Sequence, residues 1–308
     1  MTTGAKALGY DQPLYVLPFD HRHSYGSEVF GFQEPMTEDQ IAVVAASKQV
    51  IYEGFKLAVE QGAPRDKCGI LVDEEFGAAV LRNSRQSGYI TCMPVEKSGQ
   101  HEFDFQYDED FGAHIESFDP TFTKVLVRYN PEGDRADNER QLARLKRLSD
   151  WLHERQRLYM FEMLVPAEKA QLDSLGDKNK YDLELRPKLM VRAIAEIQDY
   201  GVEPDVWKIE GLDRRDDCVK IVDVARRGGR NRVGCIVLGR GESEAKVIEW
   251  LQTAATVPGF IGFAVGRSSF LQSIIDLRAG KIDGATASQQ IAAKFLHWIE
   301  VFASSQKP

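Results

Sequence analysis

The sequence predicts an α/β fold, a (β/α)8 or TIM barrel built as a single domain over residues 1–308. Three observations carry that expectation. Eight short runs rich in β-branched and aromatic residues recur along the chain, each run is apolar on both faces, and amphipathic segments with helix caps separate most of them. Strands buried on both faces and joined by helices form parallel sheets. Eight such units close into a barrel, with a doubly wound open sheet as the competing arrangement.

The strand candidates, in order, are "LYVLPFD" (14–20), "CGILVD" (68–73), "GYITCMP" (88–94), "KVLVRY" (124–129), "LYMFEML" (158–164), "DVWKIE" (205–210), "GCIVLG" (234–239) and "GFIGFAVG" (259–266). The first helix opens on Thr37-Glu38-Asp39-Gln40, where hydroxyl and amide can satisfy orphan backbone donors, and closes at Gly62. A later one runs from about Leu183 to Tyr200 and stops at Gly201, ahead of Pro204. Two stretches break the alternation. Phe103, Phe105 and Tyr107 alternate within residues 95–118, predicting a small inserted hairpin. Residues 166–181 are polar and are expected as a loop, a candidate lid.

A net charge of −8 argues against a nucleic-acid groove or an anionic membrane as principal partner, because both attract clustered Lys and Arg. No stretch reaches the roughly 18 apolar residues of a membrane span, and "MTTGAKALGYDQ" holds no apolar leader, so a cytoplasmic location is expected. The four cysteines form no CxxC pair. Whether copies associate into a homo-oligomer is left open.

In barrels of this kind the reactive groups stand at the C-terminal ends of the strands. Asp20 ends the first run and Asp73 the second; Lys124 lies in the fourth, Glu162 in the fifth and Lys208 in the sixth. Strand side chains alternate with period two, so Lys208 and Glu210 share one face while Trp207 and Ile209 take the other. With the bulky pair toward the helices, Lys208 faces the barrel interior, and by the same parity so does Glu162. An interior lysine beside another cation, with Lys124 as the candidate, has a depressed pKa and supplies a neutral amine for Schiff-base chemistry. Glu162 can shuttle the proton. The competing reading is a plain Lys–Glu ion pair.

The ends of the last two strands read as a phosphate site. "LGRGESE" and "VGRSSF" place Gly239, Arg240 and Gly241, then Gly266 and Arg267, where backbone N–H groups and guanidinium can hold an oxyanion. His21 and His23, two apart after the first strand, match the opening of metal-dependent hydrolase barrels, and Lys124 could stand for their bridging lysine. Those barrels also need histidines on the fifth and sixth strands and an aspartate on the eighth, where this chain has Glu162, Lys208 and Gly266-Arg267. No metal and no cofactor is expected, and His21 is assigned to the pocket lining.

The succession "VLPFDHR", "GILVDEEFG", "KVLVRYNPEGD", "FEML", "DVWKIE" and "GFAVGR" resembles the class I tagatose-bisphosphate and sulfofructose-phosphate aldolase group. It is closer still to the aldolase-like domain fused behind 5-dehydro-2-deoxygluconokinase in inositol catabolism, and that likeness spans nearly the whole chain, "PVEKSG" and "LRAGKID" included. The resemblance implies a Schiff-base lysine at Lys208, an acid/base carboxylate at Glu162, pocket residues at Asp20 and Lys124, and phosphate contact by Arg267. His21 stands where the tagatose enzymes have glutamine, and "GRG" at 239–241 replaces a small-residue turn, so their substrate does not carry over.

Residue chemistry alone reaches a phosphorylated carbonyl compound, whereas the resemblance implies a lyase cleaving a phosphorylated keto sugar acid, with 2-deoxy-5-keto-gluconate 6-phosphate as the favoured substrate. Its far carboxylate needs a cation, for which Arg82, Arg128 and His23 are unranked candidates. Two rivals remain: a barrel isomerase or epimerase with Glu162 as base, and a non-catalytic sugar-phosphate sensor.

Overall fold

The computed structural model describes residues 8–306. Its eight strands are all parallel and close in chain order into a barrel: β1 Leu14–Pro18, β2 Cys68–Leu71, β3 Ile90–Pro94, β4 Phe122–Arg128, β5 Leu158–Leu164, β6 Val206–Glu210, β7 Gly234–Leu238 and β8 Phe260–Ala264. The helices that follow are α1 Glu38–Glu60, α2 Glu74–Gln86, α3 Phe111–Phe118, α4 Arg135–Glu154, α5 Lys169–Leu175, α6 Arg186–Asp199, α7 Arg215–Ala225, α8 Glu244–Ala255, α9 Arg267–Arg278 and α10 Gly284–Ser305. None of the described helices is long and apolar enough to cross a membrane.

Alternation along the strands sorts the core into two shells. Leu14, Val16, Leu71, Cys92, Phe122, Met160, Val206 and Ile236 fill the barrel interior. Tyr15, Leu17, Ile70, Met93, Val125, Phe161, Trp207 and Val237 point outward into the much larger layer shared with the helices. Each shell removes apolar surface from water on its own side of the sheet, which is why runs apolar on both faces fold this way.

Close approach is bought with glycine at two points. Gly262 lets β8 lie against β1, since a Cβ there would sit 1.8 Å from the Leu14 carbonyl oxygen; Gly54 lets α1 meet α10, where a Cβ would lie 2.7 Å from an Ile291 methyl. Below the barrel the Asp205 carboxylate accepts from the backbone N–H of Gly9 and of Tyr159, both at 2.8 Å, tying the N-terminal segment to β5.

The Thr37–Gln40 capping box forms and opens α1. Residues 95–118 begin with a minimal hairpin, one antiparallel bridge between Glu96 and Phe105 flanked by bonds from the Lys97 N–H to the Asp104 carbonyl and from the Gln106 N–H to the Val95 carbonyl, and then run into the helix α3. Phe105 stands on that bridge, and both rings are buried, Phe103 edge to face on Phe105 and Phe105 stacked on Phe111. One other expectation is revised. Residues 166–181 are largely helical, with α5 capped reciprocally by Glu168 and Gln171, and they add no residue to the cavity described next.

Candidate active site

The C-terminal ends of the strands enclose a cavity of about 380 Å³. Twelve of the residues singled out from sequence line it: Asp20, His21, His23, Lys124, Arg128, Glu162, Lys208, Gly239, Arg240, Gly241, Gly266 and Arg267. Asp73 does not. Its carboxylate accepts from the N–H of Phe76 as the N-cap of α2 and pairs with the fully buried Lys48, which also donates to the His21 carbonyl at 3.0 Å. Asp73 and Lys48 therefore pin the β1 turn and leave no free oxygen for a ligand.

Register sets the floor of the cavity. Glu162 and Lys208 are direct neighbours across β5 and β6, both pointing inward. Lys124 starts one layer lower, beside Met160, and its long stem climbs to the same level. Its ammonium then meets Glu96 at 2.8 Å and Asp20 and Glu162 at 2.9 Å, one carboxylate for each N–H. The Lys208 ammonium lies 2.8 Å from the same Glu162 Oε2. Lys208 is thus met first by an anion, not by the cation expected from sequence, because three acidic side chains already surround Lys124. Lys208 is 2% exposed and Lys124 1%, so neither is in place by chance contact with solvent.

Burial favours the neutral form of every group here, and neighbouring charge decides which groups overcome it. Burial would raise Glu162, but Lys124 and then Lys208 outweigh it and hold its carboxyl below the usual range. Asp20 is lowered further, with burial again overcome by Lys124, Lys208 and His21. For Lys124, burial is overcome by Asp20, Glu162 and Glu96, and it stays firmly an ammonium. Glu96 goes the other way: burial outweighs Lys124 and Arg22 and raises it. The floor therefore holds a fixed cation, a shared carboxylate and the amine of Lys208.

Across the cavity, the 239–241 turn puts Arg240 and Gly241 at φ 55° and 74°. Arg240 is spent on protein carboxylates, Glu210 at 3.0 Å and Asp182 at 3.1 Å, so it braces the turn and is not a free anion ligand. Arg267 has no carboxylate within 4 Å among the described residues; its only bond is to the Arg240 carbonyl at 3.3 Å. It starts α9, whose N-terminus carries no side-chain cap, and Gly266 before it packs on the Pro18 carbonyl where a Cβ would come within 2.5 Å. Uncapped N–H groups and an unpaired guanidinium form one electropositive edge.

The sequence, over residues 4–306, matches the family described as "Uncharacterized protein conserved in bacteria (DUF2090)". The chain belongs to that family. No curated protein matches it in sequence. Among solved structures it is similar to a fructose-bisphosphate aldolase from Plasmodium falciparum, with 13% identity, a TM-score of 0.65, and coverage of 100% of this chain and 94% of that one. A second is a Corynebacterium glutamicum structural-genomics protein (16%, TM-score 0.57, 95% and 88%) and a third a fructose-bisphosphate aldolase from Slackia heliotrinireducens (14%, TM-score 0.54, 91% and 86%). The family member described here thus has an aldolase-like barrel fold.

Sequence reasoning missed Arg22, Glu96 and the 97–103 segment, all of which line the cavity. The signal was there: Leu14 and Val16 face inward, as do Ile90 and Cys92, and continuing each alternation past the strand end reaches Arg22 and Glu96. Among the described residues no group of three His, Cys, Asp or Glu is placed to hold a metal ion.

His21 is a half-buried ring whose Nδ1 has no partner, edge-on to Phe270. Burial, with Arg267, Lys48 and Lys208 adding and Asp20 opposing, pushes its pKa down from 6.5 to about 4. The unfolded chain takes up that proton near 6.5, so the folded state is favoured above it and loses the advantage as the pH falls toward 4. For a partly open ring the loss is on the order of 2 kcal/mol. Urea unfolding from pH 7 to 4.5 should show a shallower decline for His21→Gln than for the parent; equal declines would remove His21 from the account.

Proposed function

We propose that this protein is a class I aldolase, a lyase that cleaves a phosphorylated keto sugar acid through a Schiff base on Lys208. The observation that carries the reading is the 2.8 Å contact between the Lys208 amine and Glu162, buried on the floor of a barrel whose rim offers an unpaired arginine. The aldolase-like fold and the resemblance of its strand motifs add support.

Glu162 takes a proton from the Lys208 ammonium, and the freed amine adds to the substrate ketone. The carbinolamine hydroxyl leaves as water with that proton, giving an iminium. Glu162 next removes the proton of the hydroxyl one carbon beyond the α-carbon; the carbon–carbon bond breaks, its electron pair flows into the iminium, and an aldehyde departs from an enamine. Return of the proton to carbon, then hydrolysis, frees the second product and restores Lys208. Lys124 holds Glu162 in position throughout by its 2.9 Å bond to the same oxygen.

The favoured substrate is 2-deoxy-5-keto-gluconate 6-phosphate, split between C3 and C4 into malonate semialdehyde and dihydroxyacetone phosphate. Arg267, the α9 N-terminus and the 239–241 turn receive the phosphate. Incubation with dihydroxyacetone phosphate and borohydride, followed by peptide mapping, should leave a reduced adduct on the peptide containing Lys208. An isomerase working through an enediolate, or a sensor that only binds, leaves none. Absence of the adduct in the wild-type protein overturns the proposal.

A further inference from the structure

We infer that Arg128 receives a second anionic group, at the opposite end of the substrate from Arg267, so that the pocket selects linear molecules charged at both ends. This rests on the proposed function for the position of the reacting carbon, and on the geometry of the rim for the rest.

In ring order β4 stands opposite β8, with β6 halfway between them. Arg128 ends β4 and Arg267 follows β8, so the two guanidiniums occupy opposite rims with Lys208 between. Phe122 and Lys124 face inward, and the same parity turns Arg128 into the cavity. It donates once, from Nη1 to the Gln100 carbonyl at 2.9 Å, and no carboxylate lies within 4 Å of it among the described residues. Its remaining donors have no acceptor among the described residues.

Arg240 is held by Glu210 and Asp182, and Lys97 is paired with Asp104 and Asp108. Arg22 gives Nη2 to the Glu96 carbonyl at 2.6 Å and keeps its buried Nε and Nη1 without partners, but it follows β1, next to β8 in the ring, so it does not come from the strand opposite Arg267 as Arg128 does. Of the other candidates for a distal carboxylate, His23 is 2.6 Å from Glu34, and Arg82 lies over the Phe118 ring outside the cavity lining. Glu102 also borders the cavity, but Arg140 at 2.7 Å and Arg144 at 3.5 Å offset its charge, so it does not oppose an anion beside Arg128. The site is braced as well: Gln141 donates to the Arg128 carbonyl at 3.2 Å and accepts from the Phe103 N–H at 2.9 Å, which ties the 97–103 segment to the end of β4.

Calorimetric titration with two probes of equal chain length tests this. 6-Phosphogluconate carries phosphate and carboxylate at opposite ends; glucitol 6-phosphate lacks the carboxylate. A charge-assisted guanidinium–carboxylate contact should make the wild-type protein prefer the first by about tenfold or more, and Arg128→Gln should shrink that preference to less than about twofold, with partial recovery in Arg128→Lys. The inference is overturned if the preference survives in Arg128→Gln, if that variant weakens both probes equally, or if the wild-type protein binds both alike or neither. The borohydride trap separates the two claims: no adduct on Lys208 with the preference intact removes the Schiff base and keeps the two-ended pocket, and the reverse pattern does the opposite.

Discussion

Lys208→Met should abolish the borohydride adduct and lower the turnover of any cleavable substrate by at least ~10⁴-fold, because the other interior amine, Lys124, is held as an ammonium by three carboxylates and cannot carry the electron pair. Methionine keeps the length and most of the volume of the lysine stem, so the interior layer formed with Val206 stays filled. The carboxylate left behind is still held by Lys124 at 2.9 Å, so Glu162 is not stranded as a lone buried charge. Stability should accordingly change by no more than about 2 kcal/mol, a modest figure for a point substitution. That separation is what makes the substitution informative. Retained turnover, or an adduct that forms on a different lysine, would sink the mechanism; loss of turnover with loss of fold would be distinguished by thermal unfolding of the same preparation.

Lys124→Met should act on the same cluster in the opposite manner. Asp20, Glu96 and Glu162 all bond to this one ammonium, and its removal leaves three buried carboxylates facing a single remaining lysine. Breaking a buried pair from one side costs about 3–5 kcal/mol, which falls here on stability as well as on activity. Glu96 is the group that yields first, since burial already raises it above the usual carboxylate range. A Glu96→Gln change in the Lys124→Met background should therefore restore part of the lost stability, by about 1–2 kcal/mol, because one unpaired charge is gone. Urea unfolding of the parent, the single and the double variant checks this. A Lys124→Met protein within about 1 kcal/mol of the parent, the scale of an exposed ion pair, would show that the cluster is solvated and not the buried hub described above.

Most of the cavity was legible before any coordinates because barrel strands obey a local rule. The parity that sends Trp207 and Ile209 into the helical layer sends Lys208 inward, and the parity of Phe161 and Met163 does the same for Glu162. The alternation of Phe103 and Phe105 yields only one antiparallel bridge, after which the chain turns into α3 with Phe105 stacked on Phe111, so the strand pattern there is real but short. The polar stretch after β5 folds into α5 because Glu168 and Gln171 cap it, a signal that is weaker in sequence than the Thr37 box.

The sequence by itself determined the barrel, the inward direction of Lys208 and Glu162, and the run of glycine and arginine at the last two strand ends, because each follows from periodicity or turn chemistry within a few residues. Tertiary structure alone decided who pairs with whom. Lys124 and Asp20 are 104 residues apart and meet only because the ring closes, and the same closure gives Asp73 to Lys48 and, among the described residues, leaves Arg128 and Arg267 without carboxylate partners while Arg240 is occupied. Charge acts through space and decays over a few ångströms in a buried site, so its effects are set by which chain segments the fold brings within reach, a quantity that no local pattern encodes.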